Sequence, residues 1–254
     1  MPVPTSVPIP GSFQPRSLMV VVAHPDDAEF MVAGTVAKWA KHSCEITYVI
    51  VTKGDKGSDD PAMTSSKLTE IREAEQRAAG AILGVKHFEF MGYPDGYLQH
   101  TLELRRDITR LVRKYRPEVL VTFDPTFRLV GDTYVNHPDH RTTGDATVDA
   151  VFPSARDRLT FPELLVDGLE PWKVHQLWLG FAAEPNVCVD ISESIETKRE
   201  ALAAHPSQFG EDIHEFVIGM ARETAKDHEF EFGESFRRIT LDSPLTEVEA
   251  PTAE

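Results

Sequence analysis

Apolar runs and amphipathic segments alternate along most of the chain. Strands are predicted at residues 18–23, 44–52, 87–91, 119–123, 174–181 and 187–191. Most of these segments are rich in apolar residues, which is typical of strands buried on both faces of a sheet. The segments with helical spacing or composition cover residues 29–42, 64–83, 102–115, 193–204 and 211–225. This alternation predicts right-handed crossovers and an α/β fold, with a mostly parallel sheet and helices on both faces.

A single Rossmann-like α/β domain is predicted over residues 17–240. A chain of 254 residues can bury one large core, and α/β domains of this size often stay undivided. The first 16 residues contain five prolines and predict a flexible N-terminal arm. Residues 241–254 contain four acidic residues and no basic one, which predicts a disordered acidic tail.

The net charge of −15 and the short apolar runs narrow the function classes. The chain has no basic stripe to meet phosphates, which argues against a nucleic-acid partner. No run approaches the roughly 18 apolar residues of a membrane span, and the start lacks a signal-peptide pattern. Cys44 and Cys188 lie in apolar runs, as expected for buried, reduced thiols. We therefore expect a cytoplasmic protein with a small-molecule substrate and leave open whether it forms a homo-oligomer.

The first apolar run ends at a histidine and two carboxylates. Residues 19–27 read Met-Val-Val-Val-Ala-His-Pro-Asp-Asp, and open α/β sheets bind ligands just outside the carboxyl ends of such strands. His24 and Asp27 are three residues apart on a turn and can bend toward one ion, with zinc or another divalent metal such as Fe²⁺ as candidates. A plain surface turn is the alternative. A nucleotide-binding turn is disfavoured because glycines are absent and the carboxylates would repel a pyrophosphate.

A second cluster of the same kind occurs more than a hundred residues later. Residues 136–141 read Asn-His-Pro-Asp-His-Arg, and Pro138 suits the first position of a helix. A set of two histidines and one aspartate leaves a fourth zinc position open for water, which is typical of catalytic sites. A capped, solvated helix start is the alternative for His137 and His140.

At these residues the chain resembles the PIG-L/LmbE-like family of zinc-dependent N-deacetylases. The resemblance rests on Ala-His-Pro-Asp-Asp-Ala-Glu-Phe at 23–30 and His-Pro-Asp-His-Arg at 137–141. It covers about residues 17–210 and also includes 72–75, 83–85, 94–96, 124–125, Lys198 and 204–208. One departure is Val135, where some family members have a tyrosine; here Tyr134 is displaced by one position.

The resemblance implies a role for each residue of the two motifs. His24, Asp27 and His140 would be metal ligands, and Asp26 would be the general base. His137 would stabilise the oxyanion or protonate the leaving amine. Spacing alone does not decide which of the two aspartates binds the metal. Asp139 is expected to support the helix start or a ligand rather than to bind the metal.

Arg72 and Asp95 are weaker candidates for substrate binding. Arg72 resembles a family arginine that contacts substrate hydroxyls or phosphate, although a helix-surface arginine is a common alternative. Asp95 lies in a Pro-Asp-Gly turn and is a candidate for binding a sugar hydroxyl, although turn formation alone also explains it. His205 and Gln208 are predicted either to close the pocket or to end a helix.

The function predicted from these residues is metal-dependent removal of an N-acetyl group from a small polar substrate. The resemblance favours an N-acetylglucosaminyl compound and implies no cofactor besides the metal. Two alternatives stay open: an amidase that acts on a thiol-sugar conjugate, and a non-catalytic metal-binding member of the family. Asp26 and His137 argue against the second alternative, because both candidate catalytic groups are present.

Overall fold

The computed structural model describes residues 6–210 and 212–242. Within these ranges the chain forms ten strands, namely β1 (Val7–Pro8), β2 (Ser17–Val22), β3 (Glu45–Thr52), β4 (His87–Tyr93), β5 (Val119–Phe123), β6 (Leu129–Val130), β7 (Tyr134–Val135), β8 (Gln176–Gly180), β9 (Val187–Asp190) and β10 (Gly233–Thr240). The α-helices in the same ranges are α1 (Asp27–Ala40), α2 (Ser65–Leu83), α3 (Leu102–Tyr115), α4 (Pro138–Asp149), α5 (Glu163–Val166), α6 (Ile195–Ala203) and α7 (Ile213–Ala225). A π-helical turn, Ala150–Ser154, follows α4. None of the helices described is long and apolar enough to cross a membrane.

The central sheet has the strand order β1-β9-β10-β8-β5-β2-β3-β4. Its neighbours pair in parallel, except that β10 runs antiparallel to β8 and β9. The chain proceeds from β2 outward to β3 and β4 and then returns to place β5 on the other side of β2. This reversal makes the carboxyl ends of β2 and β5 a topological switch point, where open α/β sheets bind their ligands.

The apolar strands supply two cores, one on each face of the sheet. Val20 and Val22 of β2 face one core, whereas Met19 and Val21 face the other, because successive side chains of a strand point to opposite faces. Helices α1, α2 and α6 contribute residues to the first core, and α3 and α4 contribute residues to the second. The predicted Rossmann-like α/β fold, with helices on both faces, is confirmed.

Local capping explains where the helices begin and end. The Thr64 hydroxyl accepts a hydrogen bond from the Lys67 backbone N–H at the start of α2, which satisfies one of the unpaired amides of a first turn. Gly84 ends the same helix with φ of 84°, a conformation that glycine adopts at little cost. Thr101 caps α3 in the same way through the Leu104 amide.

The segment predicted to be a flexible arm is attached to the sheet where the structure describes it. Val7 and Pro8 pair in parallel with β9. Phe13 is buried against the indole rings of Trp39 and Trp178, with both ring-centroid distances at 5.8 Å. This aromatic anchor offsets the chain entropy lost on ordering the arm. Residues 1–5 and most of the predicted acidic tail, 243–254, lie outside the described residues.

The inner strand β10 was not predicted, because it lacks a continuous apolar run. It is joined to the helices by a buried ion pair between Lys198 Nζ and Glu234 Oε1, which are 2.6 Å apart. The Glu234 carboxylate also accepts hydrogen bonds from the Gly34 amide and from the Thr35 amide and hydroxyl. One buried carboxylate thus links β10 to α1 and α6.

We expect Lys198→Met to lower the free energy of unfolding by about 3 kcal/mol, because it leaves the Glu234 charge buried without its cation. Urea denaturation measures the change. Lys226→Met is the matched control: it removes a solvent-screened surface pairing with Glu223 and should lower the free energy of unfolding far less. Equal losses of unfolding free energy in the two variants would show that the buried ion pair contributes no more to stability than the surface pair.

Candidate active site

Asp27 lies between two histidines at the switch point. His24 follows β2, Asp27 is the first residue of α1, and His140 lies in the first turn of α4. Asp27 Oδ1 is 3.1 Å from His140 Nε2, and Asp27 Oδ2 is 3.3 Å from His24 Nδ1. The same Oδ2 accepts a hydrogen bond of 2.7 Å from the His24 backbone N–H. The structure thus brings together the three residues predicted as metal ligands, although they come from distant parts of the sequence.

His137 belongs to the same cluster. Its ring meets the His24 ring edge-on, with centroids 4.8 Å apart, and its centroid is 5.3 Å from that of His140. In the described part of the chain, two sets of three residues have potential metal-ligand atoms within 4.8 Å of one another. Both sets include His24. They are His24 with His137 and His140, and His24 with Asp95 and Asp139.

The surroundings of His24 fit a metal ion. Its Nε2 atom is buried and has no hydrogen-bond partner within the described residues, although carboxylate oxygens of Asp95 and Asp139 lie 3.1 and 3.4 Å away. A buried nitrogen of this kind needs a partner, and a divalent cation would provide one. Because three carboxylates surround the imidazole, the cluster also has the negative charge that such a cation would balance.

The pKa values of the cluster reflect the same excess of negative charge. Burial lowers the pKa of His24, but Asp27, Asp139 and Asp95 outweigh it and raise that pKa to about 12. Burial raises the pKa of Asp27, but His140 and His24 hold it far below its usual range. The carboxylate of Asp27 therefore stays ionised, as a metal ligand must be.

Asp26 is held beside the cluster with a different set of partners. Its backbone has φ of 91°, which is strained for a residue with a side chain. Its Oδ2 accepts a hydrogen bond of 2.9 Å from Arg72 Nη2, and its backbone N–H donates to Gln76 Oε1 at 2.9 Å. Burial and the adjacent Asp27 raise the pKa of Asp26 to about 7, although Arg72 lowers it. A carboxylate with a pKa near neutrality suits a general base.

Arg72 is buried, which differs from the alternative of a surface arginine. Its Nη1 donates to the Gly54 carbonyl at 2.8 Å, and its Nη2 donates to the Pro25 carbonyl at 2.7 Å as well as to Asp26. These bonds tie the guanidinium to the turn that carries Asp26. In this structure Arg72 therefore positions the candidate base, and direct contact with substrate stays a prediction.

Asp95 approaches His24 from the loop after β4, and Asp139 approaches it from the first turn of α4. Asp95 Oδ2 accepts a hydrogen bond of 3.1 Å from the Lys56 amide, which leaves Oδ1 facing the histidine. Asp139 accepts hydrogen bonds from the Gly96 and Leu98 amides at 2.7 and 3.3 Å. It thereby joins the start of α4 to the loop after β4, and the expectation that it supports the site rather than binds the metal stays a prediction.

His137 caps α4 and also lies in the cluster, and its catalytic role stays a prediction. Its Nδ1 accepts a hydrogen bond of 3.2 Å from the Asp139 backbone N–H and so caps α4. The same ring lies edge-on to the His24 ring. Burial, followed by the charges of His24 and His140, lowers the pKa of His137. The capping bond thus fixes the ring where it faces the cluster.

Gln76 and Glu29 complete the support of Asp26 and were not predicted. Gln76 Nε2 donates to Glu29 Oε1 at 2.9 Å, and Glu29 Oε2 lies 3.4 Å from His205 Nε2. All three side chains are fully buried. Two signals pointed to them: Gln76 is four residues after Arg72 and so shares its helix face, and Glu29 is a charged residue in an apolar stretch of α1. His205 thus belongs to the buried support of the site, and Gln208 donates to the Gly57 carbonyl at 3.2 Å.

We expect Gln76→Met to lower kcat by about ten- to hundredfold with little loss of bound metal, because a small displacement of a catalytic group has effects of this size. The substitution keeps the length of the side chain and removes the acceptor that holds the Asp26 amide. Steady-state kinetics and metal analysis measure the two effects. Arg77→Met, at the next and exposed position of α2, is the control and should keep wild-type kcat. Wild-type kcat in Gln76→Met would refute the positioning role.

Comparison with known proteins identifies the family to which this site belongs. A family model described as PIG-L, GlcNAc-PI de-N-acetylase, matches residues 19–151, more than half of the chain. The chain belongs to the PIG-L family. The match includes both candidate histidine clusters and the helix that carries Arg72 and Gln76.

Relatives with named activities extend the comparison. The chain is 34% identical over 206 residues to a probable N-acetyl-alpha-D-glucosaminyl L-malate deacetylase 2 of Bacillus anthracis, covering 79% of this chain and 84% of the relative. It is 30% identical over 200 residues to the diacetylchitobiose deacetylase of Thermococcus kodakarensis, covering 79% and 73%. A structure of the N,N'-diacetylchitobiose deacetylase from Pyrococcus horikoshii matches with a TM-score of 0.82 and 30% identity, covering 92% of this chain and 88% of that one. The chain is accordingly an N-deacetylase, an amide hydrolase of a metal-dependent family, and its cluster of histidines and aspartates could hold a metal ion.

Proposed function

We propose that this protein removes the acetyl group from an N-acetylglucosaminyl compound, with a zinc ion held by His24, Asp27 and His140. The observation that carries the proposal is that two adjacent carboxylates have different surroundings. Asp26 has a pKa near neutrality, whereas Asp27 contacts both His24 and His140. Imidazole and carboxylate ligands suit zinc, and Fe²⁺ is the second candidate because it accepts the same set. The named activities of the relatives support the substrate class.

The chemistry follows from the position of each residue. The metal, when bound, would supply water activation and polarisation of the amide carbonyl. Asp26 accepts the proton of the attacking water, and Arg72 and Gln76 keep its carboxylate in place. His137 stabilises the charge that develops on the carbonyl oxygen or protonates the leaving amine. The amide C–N bond breaks, and the products are acetate and a free amino sugar.

Asp95 is the residue we propose for binding a sugar hydroxyl. Its carboxylate is held at the edge of the cluster by the Lys56 amide. Its Oδ1 faces the histidine side of the site, so it can accept a hydrogen bond from a group held beside the metal ligands. We propose that Arg72 contributes to binding mainly through Asp26, because its Nη atoms already donate to protein acceptors.

An amine-release assay tests the proposal. The zinc- and iron-loaded proteins are each incubated with diacetylchitobiose, N-acetylglucosaminyl malate and an N-acetylated thiol-sugar conjugate. We expect release of free amine and acetate in equal amounts from at least one of the first two. Release from the thiol-sugar conjugate alone would favour the alternative amidase function. Metal-loaded protein that releases no amine from any of the three would favour the non-catalytic hypothesis.

A further inference from the structure

A cavity of about 420 Å³ with aromatic walls lies beside the histidine cluster. Its lining includes Phe123 at the end of β5, Phe127 in the following loop, Phe181 after β8, and Phe216 and Met220 of α7. The hairpin of β6 and β7 supplies a further side. The cavity is thus built from segments that are far apart in sequence.

The cavity adjoins the reacting site. The Phe123 ring stacks on the His140 ring with centroids 4.3 Å apart and planes 6° apart. Asn136, which also lines the cavity, directly precedes His137. Phe123 and Asn136 thus place the cavity next to the residues that would hold the reacting amide.

The polar side chains in the lining, apart from the half-exposed Tyr134, are already engaged. Asp124 accepts hydrogen bonds from the Thr126 amide and hydroxyl through Oδ1 and from the Ala183 amide through Oδ2. Asn136 Nδ2 donates to the Phe127 carbonyl. Sugar hydroxyls placed here would lose water and gain few partners in return, which is costly. The cavity therefore favours an apolar occupant, whereas the side that carries Asp95 favours the sugar.

The exposure of the aromatic rings that line the cavity also requires an explanation. Phe216 is 58% exposed and Phe181 is 41% exposed, and contiguous apolar surface of this kind typically marks a binding site. The acetyl group itself brings only one methyl group. Most of the cavity is thus left for the part of the substrate that stays with the amine.

We propose that the aromatic cavity binds an apolar aglycone, an aryl or alkyl group attached to the N-acetylated sugar. The inference rests on the proposed function and extends it by naming the substrate class. The sugar lies against the polar side of the cluster, its amide reaches His24 and His140, and the aglycone packs among Phe123, Phe127 and Phe216.

Paired substrates test the inference. The probes are the methyl and phenyl glycosides of N-acetylglucosamine, and the measured quantity is the ratio of their kcat/KM values. We expect the phenyl glycoside to be favoured by about tenfold or more, because burial of a few apolar groups gives discrimination of this size. Phe216→Ser should bring the ratio close to one. Leu159→Ser, at an exposed position (90%) outside the cavity lining, is the control and should keep the wild-type ratio.

Further measurements separate the outcomes. Calorimetric binding of the corresponding methyl and phenyl glucosaminides to metal-loaded protein tests the cavity without turnover. If neither glycoside is hydrolysed but the phenyl compound binds more tightly, and this preference is lost in Phe216→Ser, the proposed function fails and the cavity assignment stands. Equal kcat/KM values for the methyl and phenyl glycosides, or equal affinities where neither is hydrolysed, would overturn the cavity assignment. A preference for N-hexanoyl over N-acetyl glucosamine without any aglycone preference would also overturn it. So would a changed oligomeric state of Phe216→Ser with an unchanged ratio.

Discussion

Asp26→Asn is expected to lower kcat by about two to four orders of magnitude while the protein keeps its metal. Asparagine retains the size of the side chain and an oxygen for the Arg72 hydrogen bond, but it does not take up the proton of the attacking water. Loss of a general base typically has an effect of this size. Asp26 lies beside the cluster rather than between its histidines, and metal affinity should therefore change little. Steady-state kinetics and elemental analysis of the same preparation measure both quantities.

Two comparisons make this result specific. Glu73→Gln neutralises a partly exposed carboxylate on α2 that pairs with Arg77, and it should keep wild-type kcat. Asp27→Asn changes the carboxylate that contacts His24 and His140, and it should weaken metal binding. If Asp26→Asn emptied the site while Asp27→Asn stayed loaded, the roles of the two aspartates would be reversed.

Much of the fold could be predicted because its signals are local. The residues of β5 are buried on both faces, so the strand is a continuous apolar run with the predicted bounds. Helix α3 also has the predicted bounds, from Leu102 to Tyr115, because Thr101 caps it and Pro117 disfavours its continuation. The two histidine motifs stand out for a similar reason, since each is a short polar segment at the end of an apolar run or the start of a helix.

What could not be predicted depends on contacts between distant segments. Strand β10 reads as polar, and Glu234 is tolerated in the interior only because Lys198 and three donors from α1 meet it. The hairpin of β6 and β7 pairs Leu129 with Val135, but strands of two residues are too short to show a period. Gln76 acts on an amide 50 residues away; its spacing from Arg72 indicates a shared helix face but does not identify that partner.

Asp27→Ala should abolish activity by lowering metal affinity by at least about a hundredfold, whereas His137→Ala should keep the metal and lose about a hundredfold in kcat. Asp27 is the carboxylate that touches both His24 and His140, so its removal leaves the imidazoles without a shared anion. His137 also lies within reach of a metal at this cluster, which makes it the competing third ligand. Zinc titration against a competing chelator, together with steady-state kinetics, measures both effects.

His137→Asn separates chemistry from capping, because asparagine is a good N-cap residue and lacks the imidazole. His137→Ala should lose about 1 kcal/mol of stability with the cap, and His137→Asn should recover most of it. If His137 serves the reaction, both variants lose kcat equally and both stay loaded with zinc. If both variants instead lose zinc as Asp27→Ala does, His137 is a ligand alongside His24 and His140. In that case the proton for the leaving amine comes from another group.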